Sequence, residues 1–242
     1  MNQINLTKLP VLDYPTTEAL NTLCTNISFS GKSTRVIMNT SCRAGEGKSF
    51  LTMNLMRALA GEGKNVVLVD ADIRRSTIVK TYAENPALKP KGLAHYLADL
   101  CSWEDILYQT NIEGAYLIFH GRSVANPHAL LTTDKLNQLI TQLLRSFDIV
   151  LVDTPPIGLV VDAAEIAKCC HGVLLTVTNG VITRKELSDA VAQIQRTGCP
   201  ILGVVMNKVT FDTHSSRSHY YKTYYSHYKS GYYGEKEKSS AG

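Results

Sequence analysis

The chain has 242 residues and lacks any apolar run approaching the ~18 residues that cross a bilayer as a helix. Its first residues also lack the basic start and apolar core of a secretory signal peptide. Its six cysteines form no C-x-x-C pair, which favours reduced structural thiols over a zinc site or a disulfide framework. These absences predict a cytoplasmic protein that is not exported and does not span a membrane by itself.

Several enzyme signatures are absent as well. The sequence has no G-x-G-x-x-G and none of the V-A-I-K, H-R-D and D-F-G motifs, which excludes the eukaryotic-type protein kinase fold. It has no H-E-x-x-H or G-x-S-x-G motif for a metalloprotease or an α/β-hydrolase. The formal net charge is only +4, and most of it lies in residues 215–242. The nearly neutral remainder predicts a domain without a nucleic-acid-binding face.

Aromatic residues make up 7% of the chain, but the tyrosines are strongly clustered. Seven of the twelve tyrosines lie within one short stretch near the C-terminus: Tyr220, Tyr221, Tyr224, Tyr225, Tyr228, Tyr232 and Tyr233. Their spacing fits neither a strand nor one face of a helix, and polar residues and glycine separate them. We therefore predict a flexible, tyrosine-rich tail at 213–242 that follows one large folded domain.

Five nearly continuous apolar runs rich in β-branched residues predict strands at 35–41, 65–72, 147–156, 172–178 and 201–209. Amphipathic segments between them predict helices at 48–61, 92–107, 133–146, 161–170 and 183–196. Continuous apolar runs are typical of strands that helices cover on both faces. The alternation predicts an α/β fold with a doubly wound, mostly parallel sheet flanked by helices. In such sheets ligands bind beyond the carboxyl ends of the strands.

A loop with the sequence CRAGEGKS joins the first of these strands to the helix predicted at 48–61. A strand, a glycine loop, Lys-Ser and a helix follow one another in phosphate-binding loops, where backbone N–H groups bind the phosphates. We predict that Lys48 reaches the terminal phosphates and that Ser49 binds Mg²⁺. The other predicted nucleotide contacts in the loop are Arg43, Ala44, Gly45, Glu46, Gly47 and Phe50. Cys42 stands where the usual motif begins with glycine, and an ordinary glycine turn is the alternative.

Asp70 and Asp72 follow the second apolar run, and they would share one face of the strand while the backbone stays extended. Adjacent carboxylates repel one another unless a cation or a proton intervenes. Magnesium and a nucleophile to be deprotonated explain the pair, with Arg74 as a local counter-charge. Two solvated aspartates in a turn are the alternative.

Asp153 ends the third apolar run at the same edge of the predicted sheet, where it could hold Mg²⁺ through water opposite Ser49. Asn207 ends the last run, where it either reads an adenine edge or turns a loop. Together with the glycine loop, these residues predict a P-loop NTPase that binds ATP and Mg²⁺.

These motifs together resemble the bacterial tyrosine kinase family, the P-loop kinases of capsule and exopolysaccharide systems, which are related to the partition and septum-site ATPases. GEGKS, VVLVDADIRR and IVLVDTPP resemble the three nucleotide motifs of the family, and NPHALL resembles its N-P-x-x-L-L segment. The tyrosine cluster ends the chain, and the resemblance covers essentially its whole length. It implies autophosphorylation of the tail tyrosines with ATP and Mg²⁺, usually between subunits, and regulation of polysaccharide synthesis and export.

The resemblance also assigns roles to the site residues. It implies Asp70 as the base or the group that positions the nucleophile, with Lys48 and Asp72 as further catalytic residues and Ser49, Asp72 and Asp153 around the metal. It implies an N-terminal helical and docking segment at 1–34, a nucleotide-binding kinase domain at 35–212 and the tail at 213–242.

The sequence resembles the split form of the family, in which a separate transmembrane adaptor of the polysaccharide co-polymerase type docks on the kinase. The resemblance implies a protein at the inner face of the membrane, a homo-oligomer formed by kinase–tail contacts and a cognate tyrosine phosphatase. The family's oligomerisation signature, E-x-x-R-x-x-R, keeps Glu18 but has Asn21 and Cys24 in place of both arginines, which weakens the case for ring assembly. Arg43 stands where partition-type relatives carry a second lysine that reaches across a dimer.

Two other functions stay open. A partition-type regulatory ATPase that switches its oligomeric state without phosphorylating protein would use the same P-loop and aspartates, and only the tyrosine tail favours the kinase. A degenerate nucleotide-binding scaffold would fit the missing arginines, but it would not explain why every phosphate and metal ligand is retained.

Overall fold

The computed structural model of the protein describes residues 2–209. Residues 1–207 form one compact unit. The predicted tyrosine-rich tail, with all seven clustered tyrosines, lies outside the described residues.

Within residues 2–209, eight strands form one sheet. They are β1 (Asn2–Ile4), β2 (Val36–Ser41), β3 (Val66–Asp70), β4 (Leu107–Thr110), β5 (Ala115–Ile118), β6 (Ile149–Asp153), β7 (Gly172–Thr178) and β8 (Ile201–Asn207). Their order in the sheet is β1-β4-β5-β3-β6-β2-β7-β8. Neighbouring strands are parallel except β4 and β5. The predicted mostly parallel sheet is therefore confirmed, with β1 and β4 running against the other six strands.

Helices cover both faces of this sheet. They are α1 (Tyr14–Phe29), α2 (Lys48–Gly61), α3 (Ile78–Tyr82), α4 (Leu93–Leu97), α5 (Pro127–Leu131), α6 (Lys135–Leu143), α7 (Asp162–Ala167) and α8 (Arg184–Arg196), with a 3₁₀ turn at Glu104–Ile106. Helices α1 to α3 contribute to one hydrophobic core and α4 to α8 to the other. Strands β2, β3 and β6 are buried along their whole length, as expected for strands covered on both faces. In the described part of the chain, no helix combines the length and the apolar character needed to span a membrane.

The helix predicted at 92–107 is wrong over most of its length. Helix α4 ends at Leu97, and Asp99 has a φ of 61°, a left-handed conformation that a continuing helix does not allow. The apolar residues Ile106 and Leu107 are buried, but they lead into β4. Buried residues of a short strand and of a helix give similar apolar patterns, so the spacing did not separate them.

Three predicted strands are also too long at their carboxyl ends, and one of them, predicted at 201–209, ends as a strand at Asn207. The run predicted at 65–72 is a strand only as far as Asp70, and the run predicted at 147–156 ends as a strand at Asp153. Pro155 and Pro156 follow the strand that ends at Asp153, and proline cannot donate the backbone hydrogen bond that would continue the ladder.

The N-terminal segment contains helix α1, whose start is fixed by its sequence. The Asp13 side chain accepts a hydrogen bond from the backbone N–H of Thr16 at 3.0 Å, and a proline stands in the first turn. The segment also contains β1, which pairs with β4 at the edge of the sheet. Three residues are too few to show the alternation by which a strand is recognised.

Candidate nucleotide and metal site

The order of the strands brings the predicted aspartates together. The carboxyl ends of β3, β6 and β2 lie side by side. Asp70 of β3 pairs directly with Asp153 of β6 in the ladder, and Asn39 of β2 pairs with Asp153 from the other side. All three side chains are buried. Two carboxylates that are distant in the sequence thus end adjacent strands of the same sheet edge.

The loop between β2 and α2 has the conformation of an anion-binding turn. Gly45 and Gly47 have φ angles of 78° and 87°, which glycine adopts at little cost. Gly47 caps α2, and among residues 2–209 this helix has no side-chain hydrogen bond as an N-terminal cap. The first backbone N–H groups of α2 are therefore available to a phosphate.

A hydrogen-bond network anchors the first turn of α2 to the sheet. Ser49 Oγ donates to Asp153 Oδ2 at 2.5 Å. The Thr52 hydroxyl is shared between the Lys48 carbonyl, at 2.9 Å, and Asp153 Oδ1, at 3.3 Å. Asn39 donates from Nδ2 to the Lys48 carbonyl and to Thr52 Oγ1, at 3.0 and 2.8 Å. The network places Lys48 and Ser49 directly beside the carboxylate of Asp153.

Asp70 has two oxygens in different surroundings. Its Oδ2 accepts hydrogen bonds from the Ser76 hydroxyl and from the backbone N–H of His120, the latter at 3.4 Å, and it lies 3.2 Å from Nδ1 of the His120 ring. Its Oδ1 is buried and has no hydrogen-bond partner among the described residues. A buried carboxylate oxygen without a partner is costly, so this atom is the natural acceptor for a ligand, a proton or water.

Asp72 lies beyond the end of β3 rather than on it. Because β3 ends at Asp70, the two aspartates do not share a strand face, and that part of the prediction is wrong. Asp72 Oδ1 instead accepts a hydrogen bond from the backbone N–H of Arg75 at 3.0 Å. Asp72 precedes a turn but is half-buried, so the alternative of two solvated aspartates does not describe the pair. Asp72 lies close enough to Asp70 for the charge of Asp70 to contribute to its raised pKa.

Arg74 is not the direct counter-charge of this aspartate pair. Its guanidinium binds Asp162 with two hydrogen bonds, at 2.5 and 3.1 Å. Asp162 lies at the start of α7 and is only 1% exposed, so its buried charge needs the bidentate partner that Arg74 provides. The pair joins the turn after β3 to the helix after β6.

The pKa values of Asp153 and Asp72 are both raised, because these carboxylates are buried and lie near the charge of Asp70. The pKa of Asp153 is raised to about 7, first by burial and then by the charge of Asp70, against the opposing effects of Ser49 and Lys48. Burial is also the largest cause of the raised pKa of Asp72, and Asp70 contributes there as well. A site in which several buried carboxylates disfavour one another's ionisation is one that a cation stabilises.

The available donors fit a magnesium ion bound together with a nucleotide. Ser49, Asp72 and Asp153 offer hydroxyl and carboxylate oxygens, which Mg²⁺ prefers. Among residues 2–209, no three His, Cys, Asp or Glu side chains form a ready-made metal cage. Mg²⁺ is typically held by one or two carboxylates, water and substrate phosphates rather than by such a cage.

The buried side chain of Glu46 stabilises the conformation of the P-loop through hydrogen bonds. It is only 2% exposed, and its carboxylate accepts the backbone N–H groups of Arg43, at 2.7 Å, and Thr178, at 2.8 Å. The Asn207 side chain donates to the Glu46 carbonyl at 2.9 Å. Asn207 therefore supports the P-loop, a role that the sequence did not indicate, and its contact to adenine stays a prediction.

The other predicted loop contacts lie at the surface of the site. Arg43 pairs with Glu186 of α8, within the same chain, at 2.5 Å. Ala44 and Gly45 are exposed, and Phe50 is half-buried on the first turn of α2. Their contact with a nucleotide, and a reach of Arg43 across a dimer, stay predictions.

Four residues of the site carry no motif that would have identified them: Asn39, Thr52, Ser76 and His120. Thr52 had the clearest signal, because a residue four positions after Lys48 lies on the same helix face. Asn39 is a polar residue in an otherwise apolar buried strand, which is a weaker signal of the same kind. His120 follows β5, a strand that the apolar pattern did not reveal.

The N-P-H-A-L-L segment has a structural explanation. Asn126 caps α5 by accepting the backbone N–H of Ala129 at 3.3 Å, and Pro127 occupies the first turn. His128 of this helix lies 3.6 Å from Asp162, the partner of Arg74. The segment thus contacts the same ion pair that orders the turn after β3.

Comparison with known proteins agrees with this geometry. Residues 37–225 match the CobQ/CobB/MinD/ParA nucleotide binding domain family. The chain is 37% identical over 211 residues to the tyrosine-protein kinase CpsD of Streptococcus agalactiae serotype Ia, a match that covers 85% of this chain and 90% of that kinase.

Solved structures give the same result. The kinase domain of the Escherichia coli tyrosine kinase ETK superposes with a TM-score of 0.76 at 27% identity, over 88% of this chain and 86% of that domain. The septum site-determining protein MinD of Pyrococcus horikoshii OT3, complexed with Mg-ADP, shares the fold, with a TM-score of 0.60 at 22% identity over 76% of each chain. The P-loop, the aspartates at the strand ends and these similarities make the protein a protein-tyrosine kinase that belongs to the bacterial tyrosine kinases of the CobQ/CobB/MinD/ParA nucleotide-binding family.

Proposed function

We propose that the protein phosphorylates the tyrosines of its own C-terminal cluster, with Mg-ATP as the phosphoryl donor and with one copy acting on the tail of another. The proposal depends most on one observation: Ser49, Asp70 and Asp153 converge at one edge of the sheet. The seven tyrosines between Tyr220 and Tyr233 supply acceptors on the same chain.

The nucleotide would be held by the P-loop and by the start of α2. Lys48, the first residue of α2, would reach the terminal phosphates, and the backbone N–H groups that follow Gly47 would bind their oxygens. Ser49, Asp72 and Asp153 would hold the metal. When bound, Mg²⁺ supplies positive charge that offsets the negative charge on the transferred phosphoryl group.

Asp70 would act as the base through its unpartnered oxygen. A tyrosine hydroxyl has a pKa of about 10 and is a poor nucleophile while it keeps its proton. In the transfer, the tyrosine oxygen forms a bond to the γ-phosphorus while the bond from that phosphorus to the β,γ-bridging oxygen breaks. The hydroxyl proton passes to Asp70 Oδ1, and ADP leaves with the bonding electrons.

The charge of the tail suggests how phosphorylation would regulate the protein. Residues 215–242 contain five basic and two acidic side chains. Each phosphate adds roughly −1.5 to −2 charges, so two or three of them reverse the sign of the tail. Such a reversal would loosen contacts of the tail with other subunits or with an acidic membrane surface.

The remaining parts of the proposal concern partners. A separate transmembrane adaptor of the polysaccharide co-polymerase type would hold the kinase at the inner face of the membrane. A cognate tyrosine phosphatase would remove the phosphates from the tail tyrosines. Through these partners the kinase would regulate capsule or exopolysaccharide synthesis and export. The similarity to the CpsD kinase supports this part of the proposal.

Assembly would occur through kinase–tail contacts rather than through a ring built on α1. Asn21 donates a hydrogen bond to Glu18 at 3.2 Å on the surface of that helix. Cys24 is 1% exposed and lies in the core. Neither residue offers the positive charge that the family's arginines carry.

The test uses two complementary variants of the full chain, one altered in the site and one altered in the tail. A Lys48→Met variant keeps the tail as an acceptor, and a variant with all seven clustered tyrosines replaced by phenylalanine keeps the site as a donor. Each is incubated alone and then together with Mg-ATP, and phosphotyrosine is located by mass spectrometry. We expect label only in the mixture and only on the Lys48→Met tail. Steady phosphate release without tyrosine labelling would instead support a regulatory ATPase.

A further inference from the structure

The ring of His120 contacts one of the two carboxylate oxygens of Asp70, Oδ2, at 3.2 Å. Asp70 is 0% exposed, and its contacts with Ser76 and His120 all involve Oδ2. Oδ1 has no partner among the described residues. Because one oxygen makes all of these contacts, they favour one rotational state of the carboxylate.

His120 is itself held in place by two elements. It directly follows β5, which pairs with β3, the strand that ends at Asp70. The carbonyls of Phe119 and His120 accept the backbone N–H groups of Leu93 and Ala94, at 2.7 and 2.9 Å, from the first turn of α4. The ring is therefore fixed on a backbone that the sheet and a helix position together.

The geometry of the ring supports its role as a donor. The contact between Nδ1 and Asp70 Oδ2 joins two side chains that are largely shielded from solvent, with 20% of His120 and 0% of Asp70 exposed. With a proton on Nδ1, the ring donates to Oδ2 across the observed 3.2 Å.

We propose that His120 is a positioning residue for phosphoryl transfer: its ring N–H fixes Oδ2 of Asp70, so that Oδ1 accepts the proton of the tyrosine hydroxyl. The inference rests on the proposed role of Asp70 as the base. A base works only within hydrogen-bond reach of the proton that it removes. Without the ring, Oδ2 of Asp70 would keep the contacts from the Ser76 hydroxyl and from the backbone N–H of residue 120, the latter at 3.4 Å, but it would lose its ring donor. The carboxylate would then be less restricted in rotation, and Oδ1 would leave the productive position more often.

The test compares His120→Ala, which removes the donor, with His120→Asn, whose side-chain N–H can take the place of Nδ1. A synthetic peptide of residues 219–238 serves as the acceptor for the full-length protein. For His120→Ala we expect kcat for tyrosine transfer to fall roughly 10-fold to 100-fold, the range that small misplacements cause, with the KM for ATP unchanged. For His120→Asn we expect most of kcat to return.

His95, a histidine of α4, provides the matched control. The ring of His95 accepts the backbone N–H of Gly92 at 3.1 Å and has no hydrogen bond to Asp70. His95→Asn keeps an acceptor there and should retain the parent kcat. His120→Leu, which keeps a similar volume without a donor, should match His120→Ala and replaces it if that variant does not fold.

Combination with Asp70→Asn separates this inference from the proposed function. If His120 acts through Asp70, His120→Ala should lower kcat little further once Asp70 is replaced. An equal further loss in that background, or parent kcat in both His120→Ala and His120→Leu, would overturn the positioning role while the base assignment stands. A parent rate in Asp70→Asn alone would overturn the base assignment, and the inference with it.

Discussion

Ser49 on the first turn of α2 and Asp153 at the end of β6 are joined by a 2.5 Å hydrogen bond. The serine hydroxyl donates this hydrogen bond to the carboxylate, so the lone pairs of Ser49 Oγ are directed away from Asp153. These lone pairs can bind a cation while the hydroxyl hydrogen remains hydrogen-bonded to the carboxylate. If Ser49 is a metal ligand, as proposed, this bond would orient its hydroxyl in the way that partners of metal ligands commonly do.

Ser49→Ala should weaken the response to Mg²⁺ specifically. Removal of a ligand or its orienting partner typically costs roughly 10-fold to 100-fold in metal affinity, so the Mg²⁺ concentration that gives half the maximal rate of tyrosine transfer should rise by about that factor. Ser49→Thr keeps the hydroxyl and should stay close to the parent. An unchanged Mg²⁺ titration in Ser49→Ala would contradict the assignment of Ser49 as a ligand.

Glu46→Gln should disorder the P-loop from within. Both oxygens of Glu46 accept backbone N–H groups, and the glutamine amide would turn an N–H toward one of these donors. Loss of a buried acceptor costs about 1–3 kcal/mol in the free energy of unfolding, and the affinity for ATP should fall as well. Urea unfolding and equilibrium binding of ATP measure the two effects.

The control for Glu46→Gln is Glu62→Gln. Glu62 follows α2, where its side chain pairs with Lys64 at the surface, and surface changes of this kind usually stay within about 0.5 kcal/mol. If Glu46→Gln lost stability but bound ATP as tightly as the parent, the loop would not depend on this carboxylate for its binding conformation.

The sequence was sufficient to predict the site residues whose position follows from their place at the end of their own strand or in the loop after it. A residue at the carboxyl end of a parallel strand lies at one known edge of the sheet, so Lys48, Ser49, Asp70 and Asp153 could be placed there without knowledge of the strand order. The apolar runs were sufficient for β2, β3, β6 and β7 because these strands are buried along nearly their whole length. The same pattern also predicted β8, although this edge strand is only partly buried.

The remaining parts depend on which strands are neighbours. The direct pairing of Asp70 with Asp153 requires β6 between β3 and β2, and no local pattern encodes that order. His120 reaches Asp70 only because β5 lies next to β3. Likewise, Arg74 forms its ion pair with Asp162, which lies in a distant segment of the chain, and not with Asp70 or Asp72.

Gly47→Ala should damage the P-loop for two separate reasons. A Cβ at this position would lie 2.1 Å from the side-chain nitrogen of Asn207, and the φ of 87° is unfavourable for alanine. We expect a loss of about 1–3 kcal/mol in stability and of nucleotide binding. Gly47→Ala combined with Asn207→Ala removes the clash but not the backbone strain, and should recover only part of the stability.

A glycine at the other end of the same helix provides the control for Gly47→Ala. Gly61 ends α2 without a positive φ, and a Cβ there would meet nothing within 4 Å. Gly61→Ala should therefore be neutral or stabilise the protein by about 0.4–1 kcal/mol. Thermal unfolding of the four proteins measures the comparison, and full recovery in the double variant would show that backbone strain at position 47 is negligible.

Glu186 should give the protein a stabilising contribution that disappears in acid. Its pKa is lowered from 4.5 to about 2, first by the backbone N–H of Thr183, then by the Thr183 hydroxyl and then by Arg43. A lowered carboxylate pKa means that the folded state favours the ionised form. The contribution is therefore complete above the unfolded pKa and is lost as the pH falls through the folded pKa.

The comparison of the parent with Glu186→Gln isolates that contribution. The difference between their urea midpoints should be constant above about pH 5 and should shrink as the pH falls towards about 2, where Glu186 becomes protonated in both states. Arg43→Met should reduce the difference only in part, because the contacts to Thr183 remain. Added salt should weaken the Arg43 part more than the Thr183 part, since screening acts on exposed ion pairs. A difference that stayed constant from neutral pH to about pH 2 would show that the ionised carboxylate contributes nothing to folding, because only a protonation-dependent contact disappears in that range.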